Sequence, residues 1–369
     1  MSAPLPFAAP EIAPIAAFFK ETEDDFEVHE LPAYLPLGQG EHLYVRFEKR
    51  GLDTERAVRA IAEALGSSGR DAGYAGMKDR HAVTTQWASF LSKRTADEAR
   101  AIEVPGVRVL EASRHANKIK TGHLAGNRFV LRLRGIAADR VADLERSLSW
   151  LVAHGAPSYF GTQRFGRDGD NAARARRWIV EGGRAPDKPF ERKLLVSALQ
   201  SEIFNALLAE RVANGELGRI VDGDLVRKED SGGLFVADDV AEVQARADRL
   251  EVSATGPMMG AEMRWPERVA REREEAALAR AGLTREHLDR FRRAGEGTRR
   301  NYRVLVKDPS VAAEGDVVTV AFTLPSGAYA TEILREITRG GAVERRAARP
   351  SRDEAASEPA GESGPDDRS

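Results

Sequence analysis

The 369-residue chain contains no cysteine. That excludes disulfides, thiolate nucleophiles, and every zinc or iron-sulfur site built on cysteine. It also lacks an excess of charge of either sign: 56 Lys and Arg stand against 58 Asp and Glu, a net charge of -2, so any attraction for nucleic acid must be local. No apolar run approaches the roughly 20 residues that cross a bilayer. The N-terminal stretch MSAPLPFAAPEIAPIAAFF carries no positively charged leader region, and a cytoplasmic protein is expected. Motifs are missing as well. There is no GxxxxGK[ST] phosphate loop, no GxGxxG, no HExxH and no GxSxG, which removes support for nucleotide-driven, zinc-hydrolase and serine-hydrolase chemistry. The seven histidines form no metal-ligand spacing with nearby acids.

What is present is strand and helix patterning in three blocks. Phe26 and Val28 alternate, as do Leu43, Val45 and Phe47, so two strands are expected. A helix follows in TERAVRAIAEAL, capped by Asp53 or Thr54, with Ala57, Val58, Ile61, Ala62 and Leu65 on one face and Gly66 as its stop. Val83, Thr85 and Trp87 alternate again. Between Glu111 and Asp139 there is no acid, and Arg114, Lys118, Lys120, Arg128, Arg132 and Arg134 make a local basic patch. Its second half reads as a strand with Phe129, Leu131 and Leu133 on one face and arginines on the other. A helix then runs from Asp139 to Gly155.

The middle of the chain is mainly helical, around Ala172 to Val180 and in KLLVSALQSEIFNALLAERVA, with a short hairpin at residues 231–233. Residues 265–295 read as exposed helices with a solvated charged face. Strand pattern returns in DVVTVAFTL, followed by a turn at Pro325–Gly327 and a helix through Ile333, Leu334 and Ile337. From Gly341 the tail has almost no apolar bulk and is expected to be disordered. Strands at both ends and helices between them point to an insertion within one α/β sheet domain.

The segment GYAGMKDRHAVTTQ, residues 73–86, holds one carboxylate, Asp79, between Lys78 and Arg80. Read alone, this is an exposed ion pair or cap as readily as a site. Two glycines would let the backbone approach something closely, and cationic neighbours would keep the carboxylate ionised, as a nucleophile needs.

These residues resemble the catalytic-aspartate motif of the TruD family of tRNA pseudouridine synthases. FFKETEDDFEVHE resembles the family's lysine and DFxVxE segment, and KIKTGHLAGNRF its GN-x-F strand entrance. PSYFGTQRFGRDGDN resembles its YFGxQRFG signature, and FTLPSGAYATEILRE its C-terminal strand and helix. The five motifs stand in the family's order. The chain departs at Glu23, where relatives often carry proline, and matches only loosely at 215–295.

The resemblance implies an α/β (α+β) fold: a pseudouridine-synthase-like mixed, mainly antiparallel sheet in a catalytic domain of residues 1–156 and 305–340, a helix-rich insertion at 157–304, and a tail at 341–369. It implies isomerisation of a uridine in the D-arm region of tRNA, position 13 in tRNA numbering, with no cofactor and no metal, by a monomer with no membrane association. Asp79 would be the catalytic carboxylate, acting on C1′ of the sugar or as a base. Lys20 and Arg80 would hold it ionised or neutralise developing charge. Phe129 would stack on the uracil, with simple core packing as the alternative, and Asn127 would hydrogen-bond the base or the aspartate. Gln163 and Arg164 would contact RNA. The rivals are a non-catalytic RNA-binding protein and a glycosidase or nucleoside hydrolase, the latter needing a second carboxylate.

Overall fold

The computed structural model describes residues 4–345. Its first block comprises β1 (Ala17–Phe19), β2 (Phe26–Pro32), β3 (His42–Arg50), α1 (Thr54–Ala64), β4 (Gly73–Tyr74) and β5 (Val83–Leu91). After these come α2 (Ala96–Arg100), β6 (Val107–His115), β7 (Leu124–Arg134) and α3 (Val141–His154). The middle block holds β8 (Ala156–Pro157), α4 (Asn171–Ile179), α5 (Pro189–Ala213), β9 (Leu225–Lys228), β10 (Leu234–Val236), α6 (Val240–Asp248) and β11 (Val252–Met258). It ends with α7 (Arg268–Arg280), α8 (Arg285–Arg290) and β12 (Thr298–Asn301). The chain finishes with β13 (Arg303–Val304), β14 (Lys307–Glu314), β15 (Val317–Pro325), α9 (Ala330–Ile337) and β16 (Ala342–Glu344).

A ten-stranded sheet runs in the order β14-β15-β7-β2-β5-β3-β6, antiparallel except where β2 meets β5 and β1 meets β16. Its inward face carries two separate apolar clusters. Leu43, Val45 and Phe47 pack with Ala57, Val58, Ile61 and Ala62 of α1. Phe26, Val28, Phe129, Leu131 and Phe322 pack with Leu144 and Leu148 of α3 and Ile333 and Leu334 of α9. The period-2 stripes of the strands and the helical stripes of α1, α3 and α9 are therefore what the sheet and its cover are made from.

A second sheet, β10-β9-β11-β12, lies in the middle block, where α5 is buried along Leu195, Val196, Leu199, Ile203, Phe204 and Leu208. The chain leaves the large sheet at Pro157 and returns at Arg303, and these two points pair in a two-stranded antiparallel ladder. Arg303 stitches the junction: its guanidinium donates to the Ala247 and Val252 carbonyls at 2.6 and 2.7 Å and to His154 O at 3.3 Å.

Two expectations need correction. The charged helices at 265–295 are not solvated throughout. Glu274 on α7 is buried and takes both amino groups of Arg299, at 2.6 and 2.8 Å, a pairing that hydropathy along α7 alone does not reveal. The tail is not without structure from Gly341: Ala342–Glu344 adds a parallel strand to β1 because the open edge of β1 offers unpaired backbone groups. The remaining tail expectation, 346–369, lies outside the described residues. No helix among the described residues is long and apolar enough to cross a membrane.

Candidate active site

Three inward stripes of the sheet end in a polar residue. Leu43, Val45 and Phe47 are followed by Lys49; Phe26 and Val28 by Glu30; and Leu133, Leu131 and Phe129 are preceded by Asn127. Cross-strand register brings these ends together. Val28 pairs with both Thr84 and Phe129, Lys49 with Thr84, Phe47 with Gln86, and Glu30 with Asn127. A polar notch therefore separates the two apolar clusters on one face of the sheet.

The loop carrying Asp79 closes over this notch and is tied down at every step. Gly73 starts it at a point where a Cβ would lie 2.2 Å from the Ile119 carbonyl, so only glycine fits. Gly76 has open space and no such requirement. The Lys78 amide donates to Thr54 Oγ1 at 2.9 Å. Thr54 is free for this because Asp53, not Thr54, caps α1, accepting from the Arg56 amide at 2.8 Å. Lys49 Nζ donates to the Asp79 carbonyl at 2.7 Å, and the His81 amide donates to Asp79 Oδ1 at 3.0 Å.

The three consecutive charges of KDR point to three different partners. Lys78 turns to Glu30 at 2.6 Å, both side chains buried, and Glu30 also accepts from the Trp87 amide at 3.2 Å. Arg80 is exposed and its Nε donates to the Gly51 carbonyl at 3.4 Å. Asp79 instead forms a short ion pair with the buried ammonium of Lys20. Of the cations expected to hold Asp79 ionised, Lys20, 59 residues away, pairs with it, whereas the flanking Lys78 and Arg80 turn to other partners. Burial raises the Asp79 carboxyl, but the hydrogen bond and charge of Lys20, with the His81 amide, outweigh it and hold the group below the ordinary carboxylate range.

Lys20 has φ +61°, a left-handed conformation that costs a residue with a side chain about 1 kcal/mol or more. Its flanks hold it there. β1 before it is paired with β16, and Arg345 N donates to Phe19 O at 3.0 Å. After it, a short 3-10 turn, Glu23–Asp25, is pinned by the buried Asp25 carboxylate, which accepts from the Thr22 amide at 3.0 Å and from Arg134 at 2.8 Å. Truncation before Ala342 is therefore expected to lower turnover about tenfold or more by loosening Lys20, whereas truncation after Arg345 leaves it unchanged; initial rates of the two shortened chains test this.

Lys20 Nζ also lies 4.3 Å from the Phe26 ring centre, and Phe26 meets Phe129 edge-on at 6.3 Å. Phe129 is packed against Phe322 as well, at 5.8 Å, and is 7% exposed. It is a core residue at the margin of the notch, so Phe129→Ala would itself cost roughly 3–5 kcal/mol of stability. Asn127 Oδ1, Thr84 Oγ1 and Gln86 Nε2 are buried without a hydrogen-bond partner, a concentration of orphaned polar atoms that folding alone does not favour.

Gln163 and Arg164 sit elsewhere, on the 3-10 turn Thr162–Phe165. Gln163 is exposed; Arg164 donates to Ser201 of α5 at 3.3 Å and lies 5.2 Å from the Phe160 ring. Among the described residues no hydrogen bond or ring contact joins either to Asp79. Their link to the notch is indirect. Leu324 and Pro325 pair with Asn127 and Gly126, and the loop that follows presents Gly327 O to Arg300, which stacks on Phe160 at 4.3 Å.

The basic patch also divides. Arg128, Arg132 and Arg134 project from the face opposite Phe129. Arg132 is neutralised by Glu27 at 2.6 Å and Arg134 by Asp25. Lys118 and Lys120 remain on the β6–β7 loop.

The sequence pattern of the family described as tRNA pseudouridine synthase D (TruD) matches residues 9–184 and 188–337. The chain belongs to the TruD family. It is 44% identical over 343 residues to tRNA pseudouridine synthase D of Anaeromyxobacter dehalogenans, covering 92% of this chain and 97% of that protein. It is 38% identical over 350 residues to tRNA pseudouridine synthase D of Thermus thermophilus, covering 95% and 96%. A crystal structure of a Methanosarcina mazei protein described as a putative tRNA pseudouridine synthase D superimposes with a TM-score of 0.73 at 21% identity, over 90% of this chain and 95% of that one, and shows that the pseudouridine-synthase-like fold is shared.

Lys49, Thr84, Gln86 and Glu30 are given no site role in the sequence analysis, and Thr54 enters it only as a helix cap. The signal was there for Lys49: a lysine at the next inward position after Leu43, Val45 and Phe47 must be buried or break the stripe. Burial pushes its ammonium down to about 8, opposed by Asp79 and Asp53. Because the folded value is below the unfolded one, this lysine makes the fold gain stability as pH rises from about 8 toward the ordinary lysine range. Lys49→Met is expected to lose that rise while keeping wild-type stability or better at neutral pH, read from denaturant midpoints at neutral and alkaline pH.

Proposed function

We propose that this chain isomerises a uridine in the D-arm region of tRNA, position 13 in tRNA numbering, to pseudouridine, with Asp79 as the catalytic carboxylate. The observation that carries the reading is the ionised Asp79 held by buried Lys20 over a notch of orphaned polar atoms. The reaction breaks the bond from C1′ to N1 of uracil and forms one from C1′ to C5; C5 loses its proton and N1 takes one up, so the product is an isomer. A carboxylate that is anionic at neutral pH suits either attack at C1′ or proton abstraction that gives a glycal. Lys20 keeps it anionic, and Lys49 fixes its main chain.

The detached base must be held while it turns. Asn127 Oδ1 offers an acceptor and Gln86 Nε2 a donor for the uracil edge, with Phe129 beside them as an apolar wall. Residues 157–304 act, in this reading, as a module inserted between the two parts of the catalytic unit, 1–156 and 305–340. Their separate apolar cluster supports that division. Gln163 and Arg164, on the module's side of Phe160, would meet RNA outside the notch rather than the target base.

Carbodiimide labelling and primer extension on an unmodified tRNA transcript test the proposal. The expected result is one new stop in the D-arm after incubation with the protein. Salt-sensitive tRNA binding without any stop would replace it with the reading of a non-catalytic RNA-binding protein.

A further inference from the structure

Beside the Asp79 loop lies a second concavity, of about 550 Å³, between the loop after β2 and the β6–β7 loop. Its wall is unusual for a surface. Tyr34, Leu35 and Leu37 are exposed there, Leu35 by 67% and Leu37 by 69%. Lys118 and Lys120 complete the rim, and among the described residues no Asp or Glu lines it. Tyr34 stacks on His115 at 5.2 Å, and its hydroxyl meets His123 Nδ1 at 2.8 Å. His115 is 6% exposed, and its Nδ1 is buried without a partner.

The concavity is preformed. Gly38 N donates to the Arg114 carbonyl at 2.9 Å, and Gly40 packs so closely on His115 that a Cβ would lie 2.4 Å from its carbonyl carbon. Tyr44 hydroxyl donates to the Asn117 carbonyl at 2.8 Å. The β6–β7 loop that lines it is tied to the loop carrying Asp79, because Gly122 N donates to the carbonyl of Ala75 at 2.8 Å, four residues before Asp79.

Aromatic and aliphatic surface edged by lysines, with no carboxylate to repel a phosphate, is the chemistry of single-stranded nucleic-acid recognition. We propose that this concavity holds an unpaired nucleotide of the substrate RNA, its base against Tyr34 and Leu37 and its phosphates at Lys118 and Lys120. The proposal rests on the isomerase reading for the identity of the RNA, but not for the presence of the subsite. It would anchor the substrate on a loop tied to the one that carries Asp79.

The test is equilibrium binding of an unmodified tRNA transcript, followed by fluorescence anisotropy across a salt series, with single-turnover kinetics at saturating protein. Lys118→Ala with Lys120→Ala is expected to lower the slope of log affinity against log salt by about 1.4, two contacts at about 0.7 each for single strands. Tyr34→Ala is expected to weaken binding by about fivefold to 150-fold, the range of one lost stacking contact, while Tyr34→Phe binds as the wild type does. At saturating protein, single-turnover kinetics of the wild type show whether the bound tRNA is converted to pseudouridine. Hydrogen exchange on the wild type needs no variant to fold: tRNA should protect amides in 34–40 and 115–123. Unchanged affinity and slope in these variants, or no protection, overturns the pocket. Protection by tRNA without pseudouridine formation would support the pocket and remove the isomerase reading.

Discussion

Asp79→Asn is expected to abolish pseudouridine formation, lowering single-turnover rates about 10³-fold or more, as loss of a nucleophilic group does, while tRNA affinity changes little. The substitution keeps size and one acceptor oxygen, but turns the other oxygen into a donor and removes the charge. Lys49 would still hold the main chain through the Asp79 carbonyl, and the His81 amide could still find an oxygen. Lys20 would lose its counter-charge, leaving a buried ammonium above the Phe26 ring. Fold and RNA contacts would thus remain while the chemistry stops. Residual turnover within about tenfold of wild type, well short of that loss, would show that another group does the chemistry.

Lys20→Met should be the second largest loss, about 10²-fold in the rate at saturation, comparable to removing one preorganised electrostatic partner. Its signature is in pH. In the wild type Lys20, together with the His81 amide, outweighs desolvation and keeps the carboxyl low, so activity should persist well into the acidic range. With Lys20 gone, desolvation is unopposed by its nearest charge, and the acidic limb of the rate profile should move to higher pH. Stability follows the same sign. The folded carboxyl titrates below its unfolded value, so the pair's contribution is present above the unfolded carboxylate range and disappears as pH falls through the depressed folded value. An acidic limb unchanged in Lys20→Met would show that this ion pair does not set the state of Asp79.

The strands and helices that frame the site were legible because each satisfies a local rule. Leu43, Val45 and Phe47 repeat at the strand period, Ala57, Val58, Ile61 and Ala62 at the helix period, and Gly66 takes φ +63° where a helix stop was expected. The hairpin around residues 231–233 and the helix through Ile333 and Leu334 followed the same kind of signal. Asp79 and Lys20 were named through resemblance, since an Asp between two cations has a commonplace alternative. β16 was missed because three residues with little apolar bulk carry no strand pattern of their own; they pair only because β1 presents an edge.

Partnership was the part that no local pattern contained. Lys78 and Arg80 are adjacent to Asp79 in sequence and were expected to tune it, yet the turn sends them to Glu30 and to the Gly51 carbonyl. Arg132 and Arg134 contribute to a run of basic residues but are neutralised by Glu27 and Asp25 from strand β2 and the turn before it. Charge patterning counts residues along the chain, whereas electrostatic energy depends on distance and burial. Periodicities, helix stops and the order of the five motifs can be read along the chain, because they depend on neighbours a few residues apart. The gathering of Lys20, Lys49, Asp79 and Asn127 at one notch comes from the fold, because β-sheet register joins residues tens of positions apart and burial then selects which charges remain paired.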